Sequence, residues 1–270
     1  MHICLIGCGK MGTALLEGWS NLSVINQITV VEPNKINFSK NIKEKSNIYF
    51  YNHLSEIKFN DLLDVVILAV KPQIMEVVLL ELKKLEIESS CWLTIAAGLP
   101  IKFYENILGK NQSIVRTIPN TPASILKGVT ALFYNKNCKR VQIENSNLLM
   151  EAVGIILKVR DERLMDSITA VSGSGPAYIF YMIEAMINAA INIGIDKDDA
   201  IKLVEGTLVG SAFLLKNSEE EVSKLRKAVT SPNGTTEAGL SILSNNDSFF
   251  NLIRNAIEGA QKRGKELGKL

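Results

Sequence analysis

The sequence predicts an α/β N-terminal domain with a doubly wound, mostly parallel sheet, followed by an all-α C-terminal domain. Two observations predict this division. Up to about residue 160, short apolar runs alternate with amphipathic segments, which is the pattern of strands and helices in turn. Beyond that point the strand signal stops and the apolar residues recur at helical spacing. We therefore predict domains at residues 1–160 and 161–270.

The alternating segments define the elements of the first domain. Strands are predicted at residues 3–6, 28–32, 65–70, 92–96, 113–118 and 129–134. Helices are predicted between them at residues 13–19, 35–45, 75–85 and 101–108, and after them at 143–157. The run at 65–70 is apolar throughout, as expected for a strand covered on both faces.

The second domain reads as helices only, at residues 162–171, 175–193, 197–215, 219–229, 235–243 and 249–267. Two of them are apolar around most of their circumference, so they must be buried. Glu184, Asn188 and Asn192 interrupt the first of these two, which argues against a membrane span. A domain of about 110 residues has limited interior. We expect a second subunit to cover these helices; burial within one chain is the alternative.

Composition and charge exclude several classes of protein. The 270 residues are 47% hydrophobic and 21% charged, as in ordinary globular proteins. A formal net charge of +2 argues against nucleic acid or a membrane surface as a partner. The four cysteines include no C-x-x-C pair, so we expect neither disulfides nor a metal. The apolar start lacks a basic segment and resembles a first strand rather than a signal peptide, so we expect a cytoplasmic protein.

A glycine loop follows the first predicted strand and opens the first helix. Gly7-x-Gly9-x-x-Gly12 is the dinucleotide-binding turn of a Rossmann domain. The first glycine permits the turn, the second admits a pyrophosphate, and the third lets the helix pack on the strand. We therefore predict cofactor contacts from these glycines and from Lys10 and Met11 between them. A glycine turn without a ligand is the alternative.

Glu32 ends the second predicted strand about 20 residues after Gly12, where a ribose-binding acid is expected. A carboxylate there accepts hydrogen bonds from a 2′-hydroxyl and repels a 2′-phosphate, which favours NADH over NADPH. Asn34 and Lys35 lie close enough to offer a phosphate a donor and a charge, so both cofactors stay open. The alternative is a solvated strand end with Asn34 capping the next helix.

The ends of three later strands are predicted to complete the nucleotide site, because ligands of doubly wound folds bind at the carboxyl edge of the sheet. These residues are Ala69, Val70, Lys71 and Pro72, then Ala97 and Gly98, then Asn120. Lys71 is either a catalytic or a structural cation. Asn120 offers a donor and an acceptor, which suits a nicotinamide carboxamide, or else it belongs to a turn between two prolines.

A second site is predicted at the start of the 235–243 helix. Ser231, Asn233, Gly234 and Thr235 form a turn and helix opening whose free N–H groups suit a small carboxylate. Ser174 can cap the helix at 175–193, and the surrounding serines and glycines also permit close approach of a ligand. A dinucleotide site and a distant anion site together indicate a reductase of a small acid.

These segments together resemble the pyrroline-5-carboxylate reductase family over essentially the whole chain. The matching segments are 7–12, 69–72, 96–98, 116–123, 172–178 and 231–240, of which the last two are the specific ones. The resemblance implies a Rossmann domain and a helical dimerisation domain. It also implies homodimers that assemble further into rings, with each active site completed by the partner's helices.

The resemblance also implies residue roles. Gly7, Gly9, Met11 and Gly12 hold the pyrophosphate, Asn52 reaches the adenosine side, Val70, Lys71 and Pro72 border the nicotinamide ribose, and Ala97, Gly98 and Asn120 border the nicotinamide. Gly234, Thr235 and the turn before them hold the substrate carboxylate, and Thr236 hydrogen-bonds the ring nitrogen. Two residues depart from the family pattern, Asn233 in place of glycine and Glu32 in place of a small polar or basic residue.

The implied reaction is reduction of the cyclic imine 1-pyrroline-5-carboxylate to L-proline, with hydride from NADH or NADPH. The substrate enters as the iminium, or water delivers the proton, because His2 and His53 both lie in the cofactor half. A 3-hydroxyacid dehydrogenase is one alternative, but no lysine occurs between Ser174 and Asp196. A nucleotide-binding protein without catalysis is the other, and the intact 231–236 turn argues against it.

Overall fold

The computed structural model describes residues 1–34, 38–57 and 62–268. Within these residues, eight strands form one sheet in the order β3-β2-β1-β4-β5-β6-β7-β8. The strands are β1 (His2–Ile6), β2 (Gln27–Val31), β3 (Ile48–Tyr51), β4 (Val65–Leu68), β5 (Trp92–Thr94), β6 (Ile114–Ile118), β7 (Gly128–Tyr134) and β8 (Gly154–Lys158). Neighbouring strands are parallel except β6 and β7, which are antiparallel. The doubly wound, mostly parallel sheet is confirmed.

Helices connect the strands and make up the C-terminal part. They are α1 (Lys10–Trp19), α2 (Lys40–Lys43), α3 (Pro72–Lys84), α4 (Ile101–Leu108), α5 (Arg140–Glu151), α6 (Met165–Ile168), α7 (Gly175–Asn192), α8 (Lys197–Asn217), α9 (Val222–Ala228), α10 (Thr235–Ser244) and α11 (Ser248–Leu267). The described helices do not combine the length and apolar character that a membrane crossing requires.

The central strands of the sheet are buried on both faces, and their side chains alternate between two apolar clusters. In β1, Ile3 and Leu5 join one apolar cluster, whereas Cys4 and Ile6 join the cluster on the other side. Trp19 at the end of α1 is fully buried, and its indole N–H donates to the Leu149 carbonyl oxygen at 2.7 Å. The buried packing on both sides of β1 therefore fixes the sheet edge from which the glycine loop extends.

The structure corrects the helix predicted at residues 143–157. Helix α5 ends at Glu151, and β8 begins at Gly154. Gly154 has a φ of +151°, and a Cβ there would lie 2.0 Å from the Gly128 carbonyl oxygen. Only glycine allows this turn and close approach, so the helix ends before Gly154 although the apolar residues continue at helical spacing.

Three further differences concern short elements. Strand β3, an edge strand in which Ile48 is the buried residue, is absent from the prediction. The predicted helix at 162–171 is instead a 3₁₀ turn at Glu162–Leu164, then α6, then a π turn at Thr169–Gly173. Within the predicted 35–45 helix, α2 covers only Lys40–Lys43, and residues 35–37, including Lys35, lie outside the described residues.

The chain divides into two compact units. One comprises Met1–Ser174 with the C-terminal segment from Ala260 onward, and the other comprises Gly175–Gly259. Within the second unit, α7 and α8 contact each other, yet none of the residues of α7 is buried in the described chain. The first of these units extends to Ser174, beyond the domain boundary predicted near residue 160. That boundary, which concerns the functional domains, stays a prediction.

Candidate active site

The glycine loop is shaped by two close backbone approaches. Gly7 has a φ of +87°, and a Cβ there would lie 2.8 Å from the Ala69 carbonyl oxygen at the end of β4. A Cβ at Gly12 would lie 2.6 Å from the Gly7 carbonyl oxygen, so any larger residue would push α1 off the turn. A Cβ at Gly9 would meet no atom within 4 Å. The loop thus leaves open space at the position where a pyrophosphate approaches the backbone.

Helix α1 begins directly behind this open space. Gly9 precedes its first turn, and no side chain caps the free N–H groups. The partial positive charge of a helix N-terminus and its unpaired N–H groups attract an anion. Burial raises the pKa of the Cys8 thiol to about 11; the hydrogen bond with Thr13 lowers the pKa by less, and the negative charge of Glu32 has the smallest effect and raises it. The thiol therefore stays neutral beside the phosphate position.

Glu32 connects the end of β2 to the glycine loop. Its Oε2 accepts the Cys8 N–H at 2.8 Å, and its Oε1 accepts the Asn34 N–H at 2.9 Å and the Asn34 side-chain amide at 2.8 Å. Partial burial would raise the pKa of Glu32, but these hydrogen bonds outweigh it and hold the pKa below its ordinary value. The carboxylate is therefore a fixed negative charge at the position predicted for the ribose.

A cavity of about 530–600 Å³ lies on each side of the loop. The first, of about 530 Å³, joins the ends of β1, β2 and β4 to α3. It brings together these predicted residues: Gly7, Gly9, Glu32, Asn34, Asn52, Ala69, Val70 and Lys71. Its apolar wall includes Leu54, Ile74 and Val78, which were not predicted. The four-residue spacing of Ile74 and Val78 on α3 was the available signal.

The second cavity, of about 600 Å³, lies where Lys10 and Met11 begin α1. Gly9 lines both cavities, so an extended dinucleotide that crosses the loop can reach both. Thr121 and Ser124 line the second cavity and were missed, although they follow the end of a predicted strand. The sequence signal that could have indicated them was the presence of hydroxyl side chains just after a strand end.

The remaining predicted nucleotide residues lie along the same sheet edge, outside the linings of these two cavities. Pro72 begins α3, and Ala97 and Gly98 follow β5. Asn120 follows β6 and is only 8% exposed. Its Oδ1 accepts the Val129 N–H at 2.8 Å, and its Nδ2 donates to the Ser172 carbonyl oxygen at 3.2 Å. Its contact with a nicotinamide remains a prediction.

The predicted substrate turn lies in the second unit. Asn233 has a φ of +57°, which confirms that it adopts the left-handed conformation expected where the family pattern has glycine. The Gly234 N–H donates to the Ser231 carbonyl oxygen at 3.0 Å, and no side chain caps α10, which begins at Thr235. Thr235 and Thr236 are exposed in this chain.

Near these motifs the structure adds one contact that was not predicted and leaves the predicted role of Ser174 open. The Glu237 carboxylate, in the first turn of α10, accepts the Asn233 N–H at 2.7 Å, a contact that sequence reasoning missed. An acidic residue three positions into a helix was the signal. Ser174 follows the π turn, and its N–H donates to the Thr169 carbonyl oxygen at 2.9 Å. Its role toward a substrate remains a prediction.

The loop, the two cavities and the separate helix start define a nucleotide-dependent oxidoreductase. The backbone cradle at the three glycines and the uncapped start of α1 fit a pyridine nucleotide. A family model described as NADP oxidoreductase, coenzyme F420-dependent, matches residues 2–98. A second, described as pyrroline-5-carboxylate reductase dimerisation, matches residues 162–267.

Relatives of known name match the chain from end to end. The pyrroline-5-carboxylate reductase of Pseudomonas aeruginosa is 36% identical over 269 residues, which are 99% of this chain and 97% of that protein. The crystal structure of Plasmodium falciparum pyrroline carboxylate reductase with NADP bound has a TM-score of 0.85 at 31% identity, covering 99% and 98% of the two chains. The Coxiella burnetii pyrroline-5-carboxylate reductase has a TM-score of 0.86 at 35% identity, with the same coverage. The chain belongs to the pyrroline-5-carboxylate reductase family.

Proposed function

We propose that this chain reduces 1-pyrroline-5-carboxylate to L-proline, the last step of proline biosynthesis, in the cytoplasm. Family membership over 99% of the chain supports the reaction. The observation that carries it is the left-handed turn at Asn233, which opens α10 with uncapped N–H groups and exposed threonine hydroxyls. That arrangement suits a substrate that has a carboxylate next to a ring nitrogen.

The chain's own groups bind and orient this substrate. The free N–H group of Thr235 in the first turn of α10 holds the carboxylate, while the Gly234 N–H keeps the turn closed through the Ser231 carbonyl oxygen. The Thr236 hydroxyl hydrogen-bonds the ring nitrogen. A reduced pyridine nucleotide, when bound, supplies the hydride that the imine carbon accepts. The electron pair of the C=N π bond then stays on the nitrogen, which carries a proton because the substrate enters as the iminium or because water delivers it.

Catalysis therefore rests on positioning and electrostatics rather than on a strong acid in the chain. A threonine hydroxyl is too weak an acid to protonate the imine alone. His2, in the nucleotide half, lies on β1, where its Nε2 is 3.2 Å from the Thr29 Oγ1. His53 lines the first cavity. Both histidines therefore lie in the nucleotide half, and we propose neither as the proton donor to the imine.

The fixed charge of Glu32 supports NADH as the preferred cofactor. A 2′-phosphate at this position would meet a carboxylate whose pKa lies below its ordinary value. The carboxylate offers about four acceptor positions, of which Cys8 and Asn34 occupy three, so the Glu32 Oε2 can still accept one ribose hydroxyl. The Plasmodium falciparum relative binds NADP, and the preference of this chain is therefore a property to measure.

The same proposal includes a homodimer, and rings of dimers beyond it. The match to the dimerisation family model supports self-association of residues 162–267. Phe180 is 65% exposed and Tyr181 is 73% exposed on α7, and Phe213 is 59% exposed on α8. Apolar side chains exposed to this degree mark a surface that a partner covers. The partner's helices would complete each active site.

A rate assay tests the proposal. Absorbance of NADH and of NADPH is followed with 1-pyrroline-5-carboxylate, and reduction of NAD is followed with a 3-hydroxyacid. We expect nucleotide oxidation with the imine only, faster with NADH, from a protein that is at least dimeric by light scattering. Turnover of the hydroxyacid alone would favour a 3-hydroxyacid dehydrogenase, and nucleotide binding without turnover would favour a non-catalytic protein.

A further inference from the structure

A buried arginine lies at the centre of the β6 strand. Arg116 is 3% exposed, and its guanidinium forms two ion pairs. Its Nη1 lies 3.2 Å from the Glu162 Oε1, and its Nη2 lies 2.9 Å from the Asp166 Oδ1. A buried guanidinium is tolerated only when it is paired, and two pairs fix its planar fork in position. Arg116 therefore holds the segment after β8 at two points.

The first ion pair extends to the loop after β5. The Glu162 Oε1 that pairs with the Arg116 guanidinium also accepts the Ile101 N–H at 2.7 Å. Ile101 is the first residue of α4 and follows Ala97 and Gly98 by a few positions. One carboxylate oxygen thus connects β6 to the loop predicted to border the nicotinamide.

The second ion pair extends to the π turn. Asp166 lies in α6, which continues directly into the Thr169–Gly173 turn. At the far end of that turn, the Ser172 carbonyl oxygen accepts the Asn120 amide from the end of β6. Arg116 in β6 and Asn120 just after β6 therefore hold the turn at its two ends. Isolated π turns of this kind occur frequently at functional sites.

We propose that Arg116 is a positioning residue for hydride transfer. Through Glu162 and Asp166 it fixes two segments, residues 96–101 and 169–173, relative to the sheet edge. The proposal rests on the proposed function, because these segments border the reacting ring only in an enzyme that uses a pyridine nucleotide there. Misplacement by about 1 Å can lower a rate about 100-fold, so a residue that touches no substrate can still control the rate.

Two substitutions at Arg116 and one control test this role. Arg116→Met removes the charge and keeps the length of the side chain, whereas Arg116→Lys keeps the charge and loses the fork. Arg140→Met is the control, since Arg140 has a 91% exposed side chain and pairs with Glu144 within α5. We expect Arg116→Met to lower kcat about 30–100-fold, Arg116→Lys to recover part of that loss, and Arg140→Met to match wild type.

The readouts separate positioning from general stability. Fluorescence titration of NADH and NADPH should give dissociation constants within about threefold of wild type for Arg116→Met, since the adenosine side is untouched. Hydrogen exchange should become faster in segments 96–101 and 169–173 and stay unchanged in β1 and β2. If Arg116→Met does not fold, Arg116→Met combined with Asp166→Asn and Glu162→Gln removes the unpaired charges and is measured in its place.

Two outcomes would overturn the proposal. One is a folded Arg116→Met whose kcat stays within twofold of wild type. The other is unchanged exchange in both segments. Wild-type protein that binds nucleotide but does not reduce the imine would contradict the proposed function instead. In that case the exchange measurement alone still decides whether Arg116 holds the two segments.

Discussion

The nucleotide half and the helical half of this chain bury their apolar residues to very different degrees. All four residues of β4 are buried, and Leu5 and Trp19 have no exposed surface. In the helical unit, by contrast, Phe180, Tyr181 and Phe213 are more than half exposed. The nucleotide half therefore completes its own core. The helical half, with the proposed substrate turn, leaves apolar side chains exposed, and we propose that a second copy covers them.

The size of this difference supports the proposed self-association. Burying a large apolar side chain contributes about 1.5–3 kcal/mol. Three such side chains from each subunit would contribute at most about 9–18 kcal/mol before the entropy of association is subtracted, since each is already partly buried. We therefore expect folding of the helical half to depend on association, whereas the nucleotide half should not.

The largest expected effect is on assembly. Phe213→Glu places an uncompensated carboxylate in the contact surface of each subunit, at about 3–5 kcal/mol each. The dissociation constant should therefore rise by about 10⁴-fold or more, and activity should fall with it. Light scattering and sedimentation measure the mass. Val77→Glu is the control, because Val77 is 68% exposed on α3 in the nucleotide half and should leave the mass unchanged. An unchanged mass for Phe213→Glu would contradict the proposal that a second copy covers the exposed apolar surface of the helical half.

The next effect concerns catalysis by the helical half. Thr236→Ala removes the proposed hydrogen bond to the ring nitrogen and should lower kcat about 100–1000-fold, since a donor of this kind contributes about 2.7–4 kcal/mol in the transition state. Ser241→Ala is the control on the same helix, because the Ser241 hydroxyl donates to the Ala238 carbonyl oxygen within α10. A Thr236→Ala rate within threefold of wild type would refute the role.

A smaller effect concerns cofactor choice by the nucleotide half. Glu32→Ser removes the carboxylate from the ribose position and should raise the ratio of kcat/KM for NADPH over NADH about tenfold, because the repulsion of a 2′-phosphate is lost. Glu76→Ser, exposed on α3 outside the first cavity, removes the same charge elsewhere and should leave the ratio unchanged. A ratio that moves equally in both variants would indicate a general charge effect instead.

The smallest effect is a pH dependence of stability. The folded-state pKa of Glu32 lies below its ordinary value of 4.5, so its contribution to the free energy of unfolding is present above that value and is lost as pH falls through the folded pKa. Wild type should exceed Glu32→Gln by no more than about 1 kcal/mol at pH 7, and the gap should close at lower pH. Urea unfolding at fixed protein concentration measures it. A gap that widens in acid would be inconsistent with the bonds from Cys8 and Asn34.

Sequence patterns predicted the parts of the fold that depend on local chemistry. The strand at Val65–Leu68 and the glycine loop were evident because an apolar run and three glycines each have one simple physical explanation. The β8 strand was missed because its apolar residues continue the helical spacing of α5, and the break is one glycine. The reversed direction of β7 depends on pairing with β6 across the sheet, which no local pattern encodes.

The candidate site shows the same limit. The residues of the first cavity were predicted because they follow strand ends that a parallel sheet must bring together. Arg116 was noticed as part of a strand and of the matching segment 116–123, but its ion pairs were missed, since its partners Glu162 and Asp166 are 46 and 50 residues away in the chain. Separations of this size leave no periodic signal. Whether the substrate turn meets the nucleotide remains a prediction.

The reversed direction of β7 also determines where a label can be attached without blocking the glycine loop. Because β7 runs antiparallel to β6, the turn after Tyr134 lies beside Ile114, at the amino end of β6 and away from the glycine loop. Lys136 is exposed in that turn. A fluorescent dye or a surface tether attached there would leave the entrance to the nucleotide unobstructed. Immobilised protein could then be used for single-molecule measurements of cofactor exchange.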